Sequence, residues 1–166
     1  QSFGDYKPGL YVYTALPFVA TLGLNEFSVR LSGAISGVIA VWLLYKILQL
    51  LYPHEGFSHV GALLLALCPW HIYFSRGAWE INLALTLTLA AIYFFIRAQT
   101  QRRYLIYSSL FFALTLLAYQ GAKLSSGIVL VLLLVSYWRN LVKIPPKTIF
   151  ISVCVGLLVA LPIILS

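Results

Sequence analysis

The sequence predicts an all-α, polytopic membrane protein, a bundle of about six transmembrane helices with an interfacial helix before it. Hydrophobic residues make up 61% of the chain and charged residues only 9%, whereas a soluble domain carries roughly 25% charged residues. The mean hydropathy is +0.94, and long apolar segments alternate with short polar links. Because so few polar residues cannot cover a water-facing surface, we interpret the net charge of +7 as a signal of membrane topology rather than of nucleic-acid binding.

Residues 1–24 are predicted to form the end of an extracytoplasmic loop and an interfacial, juxtamembrane helix. The apolar stretch from Gly9 to Gly23 is interrupted by Pro17 and is short of the roughly 20 residues that span a bilayer. Its tyrosines suit the headgroup region, where amphipathic rings are enriched. A short spanning segment is the alternative.

Residues 25–166 are predicted to form the transmembrane bundle. Asn25 and Glu26 suit the start of the first span, as a cap and as an acid in the first turn. Gly33 and Gly37, four residues apart, predict a close contact with another helix. The predicted spans cover residues 25–52, 56–73, 80–96, 104–120, 124–138 and 148–165.

The basic residues predict the orientation of these spans. If successive spans cross the membrane in opposite directions, the links after the first, third and fifth spans lie on one side. That side then carries seven of the eleven lysines and arginines. By the positive-inside rule that side is cytoplasmic. Three of the four acids lie on the opposite, extracytoplasmic side, where charges of both signs sit at helix ends and indicate a site.

The link from Phe74 to Glu80 is the centre of that candidate site. Arg76 and Glu80 stand four residues apart, close enough to pair across a helical turn. A plain polar loop is the structural alternative. A basic cluster at headgroup depth is able to hold a phosphate. Acids that face it are able to bind a divalent metal, Mg or Mn, or to act as a general base.

Several segments resemble membrane glycosyltransferases of the GT-C class, and family 39 within it. These are the dolichyl-phosphate-mannose protein mannosyltransferases and their bacterial aminoarabinose-transferase relatives. Residues Phe3 to Tyr11 (FGDYKPGLY) look like the family's aromatic-Lys-Pro-x-Leu-Tyr motif, and Gly23 to Leu31 (GLNEFSVRL) like its G-x-x-E-F-x-x-R-L motif. The stretch from Pro69 to Asn82 is similar to a bacterial P-W-H-x-x-F-S-R…W-E-x-N signature, and Tyr119 to Lys123 resembles a later Y-x-x-A-K turn. Ser32 stands where the family commonly has proline.

This resemblance implies an enzyme that transfers a sugar from a polyprenyl-phosphate-linked donor to a protein, lipid or glycan acceptor on the extracytoplasmic face. It also implies that the main catalytic Asp lies upstream of Gln1, so we expect this chain to be part of a longer protein and inactive alone. We expect an integral protein of a bacterial or archaeal plasma membrane, with membrane lipids and a lipid-linked sugar donor as partners. A transporter or flippase of lipid-linked sugars is the alternative function.

The resemblance and the charge pattern together assign candidate roles to individual residues. Glu80 is the catalytic candidate, as a metal ligand or acceptor-orienting group, with a plain helix N-terminal acid as the alternative. Arg76 is expected to neutralise the leaving phosphate. Glu26 and Arg30 are interpreted as a structural ion pair. The candidate substrate-binding residues are Asp5, Lys7, His71, Arg76, Tyr119 and Lys123.

Overall fold

The computed structural model describes residues 9–53 and 56–164, with the side chains of residues 163 and 164 left out of the description. In this part the chain forms nine helices and no strand, which confirms the predicted all-α class. Asp5 and Lys7 lie outside the described residues. The helices are α1 Leu10–Leu22, α2 Glu26–Leu51, α3 Phe57–Leu67, α4 Pro69–Arg76, α5 Glu80–Ala98, α6 Tyr104–Ala118, α7 Ala122–Ser136, α8 Trp138–Leu141 and α9 Pro146–Ile164.

The start of α2 is fixed by its own sequence. The Asn25 side chain accepts a hydrogen bond of 2.9 Å from the backbone N–H of Ser28, and the Asn25 backbone N–H donates back to the Ser28 hydroxyl. This reciprocal capping box satisfies two backbone donors that a helix leaves unpaired. Glu26 pairs with Arg30 at 3.3 Å. The predicted cap and the predicted ion pair are both confirmed.

Replacing Asn25 by alanine is expected to lower the free energy of unfolding by about 1 kcal/mol, the usual cost of losing a side-chain cap. Thermal unfolding of the detergent-solubilised protein, followed by circular dichroism, measures the change. Glu26→Gln is the matched control, because its ion pair is largely exposed and such pairs contribute about 0–1 kcal/mol. Equal losses in the two variants would contradict the capping argument.

The single helix predicted for residues 56–73 is instead two helices, α3 and α4, bent by 58° at Cys68. Pro69 lacks the N–H that would continue the helical ladder, and its ring clashes with the preceding turn. Cys68 accordingly adopts an extended conformation, with φ −62° and ψ 120°, as residues before proline do. α4 is therefore positioned by its own contacts rather than as a continuation of α3.

Helix length separates the candidate membrane spans from the shorter helices. α2 and α5 are long and apolar enough to cross a membrane by themselves, and α3 with α4 forms a third crossing if the bent pair is one span. α1, α6, α7 and the apolar part of α9 are shorter apolar helices of 10–17 residues. The number of six crossings stays a prediction from the alternation of segments and charges.

α2 is the central helix, and it packs against α1, α3, α4 and α5. Its small residues make this possible. A Cβ added at Gly33 would lie 2.6 Å from the carbonyl oxygen of Gly77, and one added at Gly37 would overlap the side chain of Ser75. The predicted close helix contact through these two glycines is thereby confirmed. It brings the last turn of α4 directly against α2.

α1 lies against the same end of the bundle. Tyr11 and Ala15 join a buried cluster with residues from α5, α6 and α7. Burial raises the pKa of the Tyr11 phenol, which keeps its proton and donates a 3.0 Å hydrogen bond to the carbonyl of Val29. Ser32 donates to Thr14 at 2.9 Å, so α1 is tied to α2 by polar contacts as well. α1 thus packs over the ends of α2, α5, α6 and α7, while the end of α4 reaches α2 at Gly33.

Candidate functional site

Two arginines, Arg30 on α2 and Arg76 at the end of α4, line two adjoining grooves. The first, called here the apolar groove, has a volume of about 360 Å³ and runs between α2, α3 and α4. The second, the aromatic groove, has a volume of about 580 Å³. Both arginines and Ile72 belong to both linings. Both arginines therefore lie where the two grooves meet.

The two grooves have different linings. Apart from its polar rim, the apolar groove is walled by aliphatic side chains of α2 and α3, among them Leu31, Val38, Val41 and Ala66. The aromatic groove is lined by Pro69, Tyr73, Gly77 and Trp79. An amphiphile with a hydrocarbon chain, an anionic group and a ring-shaped polar head would match this sequence of surfaces.

The charge at this junction is positive and largely uncompensated. The Arg76 guanidinium forms no ion pair or hydrogen bond within the described residues, and the alternative of a pair with Glu80 is not formed there although α5 begins at Glu80. Arg30 has Glu26 as a partner, but its side chain is 56% exposed. The structural interpretation of Arg30 was therefore incomplete, because this residue also faces both grooves.

His71 is buried between α4 and α2, with only 3% of its surface exposed. Its Nε2 lies 3.2 Å from the carbonyl oxygen of Gly37. Because a carbonyl oxygen only accepts, Nε2 carries the proton and donates. In the neutral ring Nδ1 is then an acceptor, and it has no partner within the described residues. His71 thus links the two helices and also borders the apolar groove.

A second polar link joins α5 to the same face of α2. The Asn82 amide, fully buried, donates to the carbonyl of Gly33 at 2.9 Å and to the Ser75 hydroxyl at 3.3 Å. Thr86 donates to the carbonyl of Ser36 at 2.8 Å. Buried polar groups of this kind specify one arrangement of the helices, because misplacing them leaves donors unpaired. Arg76 is carried by the segment that these bonds hold.

Aromatic rings cover the outer surface of α4. Trp79 stacks on Tyr73 with centroids 6.5 Å apart and an interplanar angle of 27°. Phe74 contacts Trp79 at 5.9 Å and Trp70 at 5.0 Å. Trp79 is 49% exposed, so one part of its ring is available to a ligand in the aromatic groove. Such rings serve both as interfacial anchors and as stacking surfaces.

The structure brings together some of the predicted site residues and separates others. His71 and Arg76 line the same groove. Glu80 is not among the lining residues of either groove. Tyr119 packs against the buried cluster under α1, and Lys123 lines a different groove, formed with α6 and α9.

Arg30 and Asn82 were not predicted as site residues, although both lie in the quoted motifs. Arg30 is a cation near the start of an apolar helix, and Asn82 is an amide in the first turn of another apolar helix. Polar groups in such positions need partners, and this could have identified both residues. No group of three or more His, Cys, Asp or Glu residues able to hold a metal occurs among the described residues. The divalent metal and the catalytic role of Glu80 therefore stay predictions.

Comparisons with known proteins address the family directly. Residues 7–165 match the family described as dolichyl-phosphate-mannose-protein mannosyltransferase. A search of curated proteins and a search of solved structures each give no significant match. The family match covers nearly the whole chain and agrees with the resemblance carried by its motifs. The chain therefore belongs to the dolichyl-phosphate-mannose-protein mannosyltransferase family, whose members are integral membrane glycosyltransferases that use a lipid-linked sugar donor.

Proposed function

We propose that this protein transfers a sugar from a polyprenyl-phosphate-linked donor to a hydroxyl of a protein, lipid or glycan acceptor on the extracytoplasmic face. The observation that carries the proposal is the position of Arg30 and Arg76 at the junction of the apolar and aromatic grooves. A lipid-linked phosphosugar has its parts in that order, with the phosphate between the hydrocarbon chain and the sugar.

The two grooves and Arg76 offer a complementary group for each part of the proposed donor. The aliphatic walls of the apolar groove suit an isoprenoid chain, which gains about 25 cal/mol for each Å² that it buries from water. The guanidinium of Arg76 offers paired N–H donors that fit phosphate oxygens. The exposed part of the Trp79 ring suits the apolar face of a sugar. Lys7 remains a further predicted phosphate ligand outside the described residues.

In the proposed reaction the acceptor oxygen forms a bond to the anomeric carbon. The bond between that carbon and the phosphate oxygen breaks, and its electron pair leaves with the polyprenyl phosphate. A carboxylate takes the acceptor proton, and Glu80 is the predicted catalytic carboxylate of this chain. Negative charge grows on the phosphate as the bond breaks, so cations fixed beside it stabilise the transition state more than the ground state.

The distribution of basic residues supports the side of the membrane on which the grooves are proposed to lie. Seven basic residues lie in or next to the links at the opposite end of the bundle from Arg76 in the predicted topology. There Arg97 and Arg103 stand over the Tyr104 ring, at 5.3 and 5.5 Å from its centroid. Cytoplasmic links carry such an excess of Lys and Arg, which supports an extracytoplasmic position for the grooves.

Replacing Arg76 by glutamine in the full-length enzyme is expected to lower kcat/KM for a polyprenyl-phosphate sugar by about tenfold to a hundredfold. This corresponds to the roughly 1.5–3 kcal/mol contributed by a hydrogen bond to a charged group. Inhibition by free polyprenyl phosphate should weaken in parallel, because the same phosphate contact is lost. A radiolabelled-sugar transfer assay in detergent or nanodiscs measures both quantities.

Two further variants make the test specific. Arg76→Lys keeps the charge without the paired donors and should have an intermediate effect. Arg102→Gln removes an exposed charge at the opposite end of the bundle and should leave kcat/KM within about twofold of the wild type. If Arg76→Gln and Arg102→Gln behave alike, the junction of the grooves is not the phosphate site.

A further inference from the structure

A long groove, called here the α7 groove, runs between α6, α7 and α9. Its upper part, about 350 Å³, is lined by Lys123, Ser126 and Gly127 among others. Its lower part, about 310 Å³, reaches Trp138 and Leu141 beyond the end of α7. The two parts are continuous, because both linings contain Ser109, Phe112, Leu130 and Val153.

The dimensions of this groove suit one hydrocarbon chain. α7 has 15 residues and is therefore about 22 Å long, more than the roughly 15 Å of one leaflet of a 30 Å hydrocarbon core. Most of the lining side chains are apolar. None of the lining residues belongs to the apolar or the aromatic groove beside Arg76. The α7 groove is thus a separate surface from the proposed donor site.

Two polar groups mark its upper end. The Lys123 ammonium is exposed and forms no ion pair or hydrogen bond in the part of the chain that the structure describes. Ser126 is 3% exposed, and its hydroxyl has no hydrogen-bond partner within the same residues. A buried hydroxyl without a partner costs about 1–3 kcal/mol. Because Ser126 lines the groove, a ligand there would supply the missing partner.

The order of these groups identifies the ligand. Lys123 and Ser126 are three residues apart, so they share one face of α7, with Ser126 about 4.5 Å deeper along the axis. Along the groove the Lys123 ammonium is followed by the Ser126 hydroxyl and then by apolar side chains. This order matches the phosphate, ester carbonyl and acyl chain of a glycerophospholipid. In a polyprenyl phosphate the hydrocarbon follows the phosphate directly, which would leave the Ser126 hydroxyl unpaired.

We propose that the α7 groove binds one anionic glycerophospholipid of the surrounding bilayer, with its phosphate at Lys123 and an ester carbonyl at Ser126. The lipid fills the space between α7 and the pair α6 and α9, and so stabilises the bundle by binding the folded state. In this proposal Lys123 binds the phosphate of a bilayer lipid, whereas the sequence predicted that it binds the donor phosphate.

The full-length protein in detergent allows a direct test with defined lipids. Dipalmitoyl phosphatidylglycerol is expected to bind, as measured by native mass spectrometry and by a rise in Tm. Its diether analogue, which lacks the ester carbonyl, should bind several-fold more weakly. Ser126→Ala should bind the ester and ether lipids equally, and Lys123→Gln should bind the ester lipid at least tenfold more weakly, as expected for loss of a charged hydrogen bond.

Gly127 offers a variant that closes the groove without disturbing its walls. A Cβ added there meets no atom within 4 Å, so leucine at this position should point into open space of the groove. Gly127→Leu is expected to fold with an unchanged circular dichroism spectrum and to lose binding of phosphatidylglycerol. Gly127→Ala, which adds one methyl group only, is the matched control and should retain the lipid.

Three outcomes would overturn the proposal. The first is equal binding of phosphatidylglycerol by the wild type and Gly127→Leu. The second is displacement of bound phosphatidylglycerol by decaprenyl phosphate in a manner that depends on Lys123, because the groove would then hold the donor. The third is a large loss of stability of Gly127→Leu in lipid-free detergent, because a protein segment would then occupy the groove. Each outcome is distinguishable from failure of the Arg76 test.

Discussion

Replacing Gly33 by alanine is expected to destabilise the protein by about 1–3 kcal/mol, the usual cost of overpacking a tight contact. The new Cβ would lie 2.6 Å from the carbonyl oxygen of Gly77 and 3.3 Å from the Tyr11 hydroxyl. The first of these atoms belongs to the backbone and cannot rotate away. The end of α4 must therefore move away from α2, and Arg76 moves with it. Transfer activity should fall even at temperatures where the variant is folded.

The matched control for this variant is Gly127→Ala, the same substitution at another helical glycine. Its Cβ meets no atom within 4 Å, and alanine is a better helix former than glycine by about 0.8–1.0 kcal/mol. The control should therefore be as stable as the wild type or more stable. Urea or thermal unfolding of the two variants measures the difference. Similar stabilities for Gly33→Ala and Gly127→Ala would show that α2 and α4 are not in close contact.

Replacing His71 by asparagine is expected to lower the transfer rate by about tenfold or more, whereas glutamine should preserve much of it. The Gln amide nitrogen reaches the position of Nε2 and is able to donate to the Gly37 carbonyl, the bond seen at 3.2 Å. The Asn amide reaches only the position of Nδ1 and leaves this bond unmade. A buried hydrogen bond of this kind contributes roughly 0.5–1.5 kcal/mol, and an unpaired buried group costs more.

This pair of variants also distinguishes two roles of His71. If the ring acts by positioning α4, the rate should follow the Nε2 bond, so glutamine rescues and asparagine does not. If the free Nδ1 instead binds the substrate, asparagine should rescue and glutamine should not. In the positioning case kcat should fall together with the Tm, while a substrate ligand would raise KM with the Tm unchanged. Rescue by asparagine alone would contradict the positioning role.

Much of the fold follows from local properties of the sequence. Long, unbroken apolar segments with few charges favour helices in a membrane, because a helix pairs its backbone groups within the same segment. The cap at Asn25 and the pair of Glu26 with Arg30 depend on residues within one turn of each other, so both could be predicted. The break at Cys68 was missed because apolar and aromatic residues continue past Pro69 to Tyr73, so one continuous span was predicted through the proline.

The candidate site depends on contacts between helices that are distant in sequence. Arg76 was predicted as a site residue from its charged link and His71 from the P-W-H-x-x-F-S-R resemblance, and both line the apolar groove. Arg30 lies 46 residues before Arg76, and only the packing of α4 on the glycine face of α2 brings their side chains to common grooves. Lys123 and Tyr119 are close in sequence, but Lys123 lines another groove, between α6, α7 and α9.

The bend between α3 and α4 shortens the distance that this pair of helices covers before it reaches Arg76. α3 rises about 16 Å and α4 about 12 Å along their own axes, from 11 and 8 residues. With α3 along the membrane normal, a bend of 58° leaves α4 only about 6 Å of that rise. The crossing then spans about 22 Å, less than the roughly 30 Å hydrocarbon core. In that orientation the surrounding lipids would thin locally to meet Arg76. In the proposed reaction the donor phosphate would then reach the guanidinium below the level of the neighbouring headgroups, shielded from bulk water and salt.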